Sequence, residues 1–143
     1  MESLMLNILL VEDDEVDVMT VQRAFQKGNI KNPVYVASNG VEALSMLRCR
    51  PGQPALMPTE RRIVLLDLNM PKMNGLEFLQ ELRADPTIRH IPVVVLTTSN
   101  EERDRIQAYQ LNVAGYILKP VIFDTFVSLM VILNKYWAVC EMP

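Results

Sequence analysis

Five short apolar runs, each followed by a stretch of helical periodicity, organise this sequence: residues 7–11, 34–37, 63–66, 93–96 and 115–118. Runs that are apolar throughout, rather than alternating, suit strands buried on both faces. Between them, Val18, Val21, Ala24 and Phe25 recur at three- and four-residue spacing and predict a first helix, ended by Gly28-Asn29. Asn39 opens a second helix carrying Val41, Leu44 and Leu47. A third buries Phe78, Leu79 and Leu82 and stops at Asp85-Pro86. A fourth spans 101–110 with Ile106 and Tyr109 expected inward, and a fifth runs from Ile122 to Trp137. The segment from Arg50 to Arg62, with Pro51, Gly52, Pro54 and Pro58, reads as a long loop. Repeated strand–helix units imply an α/β fold with a parallel sheet covered on both sides.

Open sheets of this kind bind ligands beyond the carboxyl ends of their strands. Those ends carry Glu12-Asp13, then Asp67 with Asn69 two residues on, then Thr97-Thr98, then Lys119-Pro120. Carboxylates brought so close repel by on the order of 4 kcal/mol per pair at an effective dielectric of about 20. A hard divalent cation such as Mg²⁺ relieves that repulsion. Asp13 and Asp67 are expected as direct ligands, Glu12 through a water, and Asn69 through its backbone carbonyl. A carboxylate nucleophile beside a cation can take a phosphoryl group as an acyl phosphate. The Lys119 ammonium, and the Thr97 hydroxyl or a nearby backbone N–H, would then meet the charge developing on the equatorial oxygens. Pro120 constrains the peptide after Lys119, and a cis bond there would aim the amine inward. Ser99 and Asn100 are expected to cap the fourth helix, which leaves Thr97 free.

The formal net charge of −3, with acids and bases interspersed, argues against nucleic acid as a partner. Cys49 and Cys140 fit no metal-ligand or disulfide framework and read as free thiols of a cytoplasmic protein. No long apolar run predicts a membrane span. His90, the sole histidine, reads as a surface residue.

These residues jointly resemble the receiver domains of bacterial response regulators, of the chemotaxis-protein type. The resemblance runs from Ile8 to Trp137. It rests on Glu12-Asp13, Asp67 within Leu65-Leu66-Asp67-Leu68-Asn69-Met70-Pro71, Gly75, Thr97 and Lys119-Pro120. Thirty residues separate Asp67 from Thr97, and twenty-two separate Thr97 from Lys119. The resemblance implies a flavodoxin-like, doubly wound five-stranded sheet of order 2-1-3-4-5 with five helices. It implies a receiver over residues 1–143, with a core of about 6–137 and a tail at 138–143. Asp67 would be the phosphoacceptor, Thr97 the switch hydroxyl, Tyr116 the aromatic switch, and a sensor histidine kinase the donor. The chain would be a switch and not an enzyme acting on a free substrate. The phrase Pro92-Val93-Val94-Val95-Leu96-Thr97-Thr98-Ser99 and the ending at Tyr136-Trp137 are similar to regulators paired with cyanobacterial phytochromes. That similarity implies a light-sensing kinase and a homodimer. Two marks depart from the usual pattern: Glu12 stands for Asp, and Thr98 stands where a smaller residue is common.

The fifth helix carries a second apolar stripe, Ile122, Leu129, Ile132 and Tyr136, beside the one the core needs. A symmetric dimer through the helix 4, strand 5 and helix 5 face would cover it, contributing about 6–10 kcal/mol before association costs. The alternative cover is the tail folding back. Two other functions stay open on the residues alone. A haloacid-dehalogenase-type phosphotransferase also uses an aspartate nucleophile, but Asn69 stands where its general acid would be. A pseudo-receiver interaction module would never carry phosphate.

Overall fold

The computed structural model describes residues 5–49, 51–70 and 72–143. Arg50 and Pro71, the latter expected in the turn after the third strand, lie outside the described residues. The elements alternate as β1 (Asn7–Val11), α1 (Glu15–Lys27), β2 (Val34–Ala37), α2 (Gly40–Leu47) and β3 (Arg62–Leu66). They continue as α3 (Gly75–Ala84), β4 (Val93–Thr97), α4 (Glu102–Gln110), β5 (Gly115–Leu118) and α5 (Phe123–Ala138). All strand pairs are parallel, in the order β2-β1-β3-β4-β5.

Side chains alternate across each strand, so one apolar run supplies two cores. Leu9, Val11, Val64, Leu66, Val93 and Val95 face α2, α3 and α4. Ile8, Leu10, Ile63, Leu65, Val94 and Leu96 face α1 and α5. This two-sided burial is why the runs lack polar alternation. The helix starts are set locally. Asp14 accepts from the Val16 and Asp17 N–H groups, Asn39 from Glu42 N–H, and Asn74 forms a capping box with Glu77.

Three expectations are corrected. In α4 the buried residue is Ala108, while Ile106 and Tyr109 are half-exposed, on the outside. Residues two apart on a helix point about 200° from each other, so Ala108 inward puts Ile106 outward. The α4 N-cap is Glu101, with no side-chain cap bond. Ser99 Oγ instead donates to Asp104 Oδ2 at 2.7 Å, and Asn100 Oδ1 accepts from Arg105. In α2, Val41 is exposed and the core takes Ala43, Leu44 and Leu47. Within the loop before β3, Met57 is buried against the α2/α3 core, which anchors that otherwise exposed segment.

The tail folds back, but onto the base of the sheet. The Arg61 N–H donates to the Pro143 carbonyl at 3.0 Å, and Met142 packs on the α1/α5 core. The outer stripe of α5 is left open: Ile122, Ile132 and Tyr136 are exposed. Leu129 is half-buried and packs toward the α1/α5 core.

Candidate functional site

The strand order reverses between β1 and β3, and the register pairs Val11 with Leu66. The next residues, Glu12 and Asp67, therefore emerge side by side, with Asp67 N–H donating to the Val11 carbonyl at 3.0 Å. Asp13 follows at the surface. One oxygen from each of Glu12, Asp13 and Asp67 lies within 4.8 Å of the others. Glu12 is 3% exposed and Asp67 7%.

At the other pair of strand ends, Thr97 pairs with Leu118, and Lys119 N–H donates to the Thr97 carbonyl at 2.9 Å. The Lys119 side chain reaches back across the sheet edge. Its Nζ donates to Glu12 Oε2 at 2.7 Å and to Asp17 Oδ2 at 3.3 Å. The peptide bonds, Lys119–Pro120 included, are trans among the described residues, which corrects the expectation of a cis bond. Two carboxylates and a backbone pairing aim the amine instead.

Burial raises the Glu12 carboxyl to about 7, the Lys119 ammonium pulls it down, and the Asp67 charge adds to the rise. Burial alone would lower the Lys119 amine. Its bond to Glu12 and the charges of Glu12, Asp67 and Asp17 outweigh that, so its pKa is raised. Lys119 thus stays an ammonium, and burial with the Asp67 charge is what makes Glu12 the acid that takes up a proton. Two buried carboxylates and an exposed one, of which only Glu12 is paired with the lysine, have the charge and hardness that a divalent cation fits.

Helix α3 locks the loop that follows Asp67. Gly75 N–H donates to the Leu68 carbonyl at 3.0 Å. A Cβ on Gly75 would lie 2.6 Å from the Asp67 carbonyl oxygen and 2.7 Å from Leu68 Cα. Only glycine permits this approach, so Gly75 belongs to the site through the backbone it holds. Lys72 and Met73 both adopt positive φ, at 47° and 63°, ahead of the Asn74 cap.

Thr97 is fully buried, and its Oγ accepts from Ser99 N–H at 3.2 Å. Thr97 does not cap α4, and its own O–H proton remains to be donated. The Tyr116 hydroxyl donates to the Ser99 carbonyl at 3.0 Å, and burial raises the phenol's pKa, so it stays a donor. Asn69 is exposed two residues beyond Asp67.

The structure therefore brings together Glu12, Asp13, Asp67 and Lys119, and links Thr97 to Tyr116 through Ser99. Two participants were missed from sequence. Ser99 reads from sequence as a cap of the fourth helix. Asp17 carries no reading from sequence; the signal that could find it is its place one turn into α1, five residues after Glu12. His90 and Cys49 are exposed and Cys140 is half-buried, all remote from this chemistry. No described helix is long and apolar enough to cross a membrane.

Residues 8–130 match the response regulator receiver domain family. The chain is 37% identical over 130 residues to the probable methanogenesis regulatory protein FilR2 of Methanothrix harundinacea, covering 91% of this chain and 82% of that one. It is 35% identical to response regulator Rcp1 of Synechocystis, covering 91% and 87%. The crystal structure of Rcp1 in its Mn²⁺-bound form superposes with a TM-score of 0.77 at 32% identity, covering 95% of this chain and 97% of that one. That of the phosphorylated cyanobacterial phytochrome response regulator RcpA gives 0.81 at 32% identity, covering 97% and 99%. With the acid cluster assembled, neither the dehalogenase-type nor the pseudo-receiver reading is favoured. The chain belongs to the response regulator receiver domain family, and it is a flavodoxin-like signalling switch of a two-component system.

Proposed function

We propose that Asp67 accepts a phosphoryl group from a histidine kinase in a Mg²⁺-dependent reaction. The observation that carries this is the convergence of Glu12, Asp13 and Asp67 oxygens within 4.8 Å, beside the Lys119 ammonium. Asp13 and Asp67 would hold the cation directly, with Glu12 through water and Asn69 through its carbonyl. When bound, Mg²⁺ supplies positive charge to a phosphoryl oxygen and offsets the crowded carboxylates.

An Asp67 carboxylate oxygen attacks phosphorus. The P–N bond to the donor imidazole breaks, its electron pair stays on that nitrogen, and an acyl phosphate forms. Lys119 meets one phosphoryl oxygen, and the Thr97 O–H donates to another. Because Thr97 Oγ also accepts from Ser99 N–H, its movement shifts the backbone at Ser99, whose carbonyl accepts from the Tyr116 hydroxyl. Phosphorylation is thereby reported on the α4–β5–α5 face, and output is a binding event there.

Likeness to RcpA and Rcp1 supports a phytochrome-type, light-sensing kinase as donor. The exposed Ile122, Ile132 and Tyr136 on α5 support a homodimer through the same face. Free Cys49 and Cys140 support a reducing cytoplasm. The decisive test is acetyl phosphate with Mg²⁺, followed by intact mass. One added phosphoryl group, absent in Asp67→Asn and with metal chelated, is the expected result. A wild-type chain unmodified at saturating metal would end this reading.

A further inference from the structure

Lys119 is paired with other carboxylates than that of Asp67. Its Nζ lies 2.7 Å from Glu12 Oε2 and 3.3 Å from Asp17 Oδ2, and among the described residues it makes no ion pair with Asp67. Glu12 belongs to the acid cluster, whereas Asp17 does not. The ammonium therefore bridges two places. One is the cluster, and the other is the groove between α1 and the β5–α5 connection, lined by Asp17, Thr20, Thr98, Lys119 and Val121. A lysine ammonium has three N–H donors, and these two carboxylates take two of them.

The two partners differ in kind. Glu12 is buried, and its contact is short. The Asp17 side chain is 41% exposed, its contact is longer, and it sits in the first turn of α1. To meet a phosphoryl oxygen on Asp67, the ammonium can pivot along Glu12, which already lies beside Asp67. The longer contact to the half-exposed Asp17 is the one such a pivot would stretch. Asp17 is therefore the partner more readily given up.

We propose that Asp17 is a resting catch: a positioning residue that holds the Lys119 ammonium toward the α1 groove and opposes its transfer to the phosphoryl group on Asp67. This rests on the phosphoacceptor reading above. A phosphoryl group carries more charge than one solvent-screened carboxylate, so it draws the ammonium off Asp17 once formed. The catch then costs the phosphorylated state a contact that the resting state enjoys. Removing it shifts the balance toward the phosphorylated state by the scale of a partly exposed ion pair, about two- to fivefold.

A merely structural Asp17, supporting α1, would give the opposite sign, because a loosened helix weakens the site. The test uses the full chain as wild type, Asp17→Asn and Asp17→Glu. In the metal-free protein, the Lys119 ε-methylene NMR resonance is expected to shift in Asp17→Asn and to return toward wild type in Asp17→Glu. With Mg²⁺, beryllofluoride followed by ¹⁹F NMR is expected to bind about two- to fivefold tighter to Asp17→Asn. The KM for acetyl phosphate should fall, and the acyl phosphate should last correspondingly longer. An unmoved Lys119 resonance, or equal or weaker beryllofluoride binding by Asp17→Asn, overturns the catch. If the wild type takes up neither beryllofluoride nor phosphoryl, the phosphoacceptor reading fails instead, and the metal-free spectrum still decides whether Asp17 holds Lys119.

Discussion

The Tyr116 hydroxyl and the Ser99 backbone are joined by a 3.0 Å hydrogen bond that spans from β5 to the loop after β4. The same Ser99 residue donates its N–H to Thr97 Oγ at 3.2 Å. A displacement of the Thr97 hydroxyl therefore reaches the Tyr116 ring through one residue. Tyr116→Phe should cost about 1 kcal/mol of stability, the worth of one hydrogen bond. It should leave acetyl phosphate labelling of Asp67 intact while uncoupling the readout face. Intact mass measures the first effect and amide NMR shifts in α4 the second. Full α4 shifts on phosphorylation of the variant would show that Tyr116 is only packing.

Gly75 holds the backbone that presents Asp67. Its absent Cβ is replaced in space by the Asp67 carbonyl and Leu68 Cα, both closer than a methyl group tolerates. Gly75→Ala must push α3 away from that loop. The expected loss is about 1–3 kcal/mol in urea denaturation, the scale of overpacking. Phosphorylation of Asp67 should slow as well. A variant as stable and as quickly labelled as wild type would show that the loop yields freely.

The raised Glu12 pKa makes a signed prediction about pH. The carboxyl titrates at about 7 in the folded chain against 4.5 as the ordinary value. Below about pH 4.5 both states hold the proton and the contribution to stability is full. Between there and 7 the unfolded chain has lost the proton while the folded chain keeps it, so stability falls as pH rises. In EDTA, Tm should therefore drop from pH 5 to pH 7.5 by several degrees, on the order of 3 °C per kcal/mol lost. Saturating Mg²⁺ should remove most of that drop, and Glu12→Gln should flatten the profile. Scanning calorimetry across the range checks it; a metal-free Tm that climbed from pH 5 to pH 7.5 would contradict the sign.

The outer stripe of α5 bears on assembly. Ile132 is 62% exposed and Tyr136 stands beside it, in edge contact with Trp137 at 5.1 Å between ring centroids. Sedimentation of the wild type should give a dimer, and Ile132→Glu with Tyr136→Lys should give a folded monomer. Leu129 is a poor choice for this variant, because it packs toward the core. A wild-type chain that sediments as a monomer at high concentration, phosphorylated and not, would leave the stripe without this role.

Much of this protein is written in short-range pattern. The apolar runs around Leu9, Val64 and Val94 suit strands buried on both faces, and the helical stretches between them make those strands parallel. Asn39, Asn74 and Gly28 determine helix ends, because capping is settled within a few residues of chain. The acids and the lysine at the strand ends were legible as a site, since parallel strands must end on one edge. What the tertiary structure alone decided depends on residues far apart in the chain. Ala108, not Ile106 or Tyr109, faces the core because α4 packs at the sheet margin, where its own polar sequence has little apolar pattern to reveal. The pairing of Asp17 with Lys119 spans 102 residues, and that of Tyr116 with Ser99 spans 17. Such partners are chosen by where the sheet places two loops in space, and no periodicity in the sequence carries that distance.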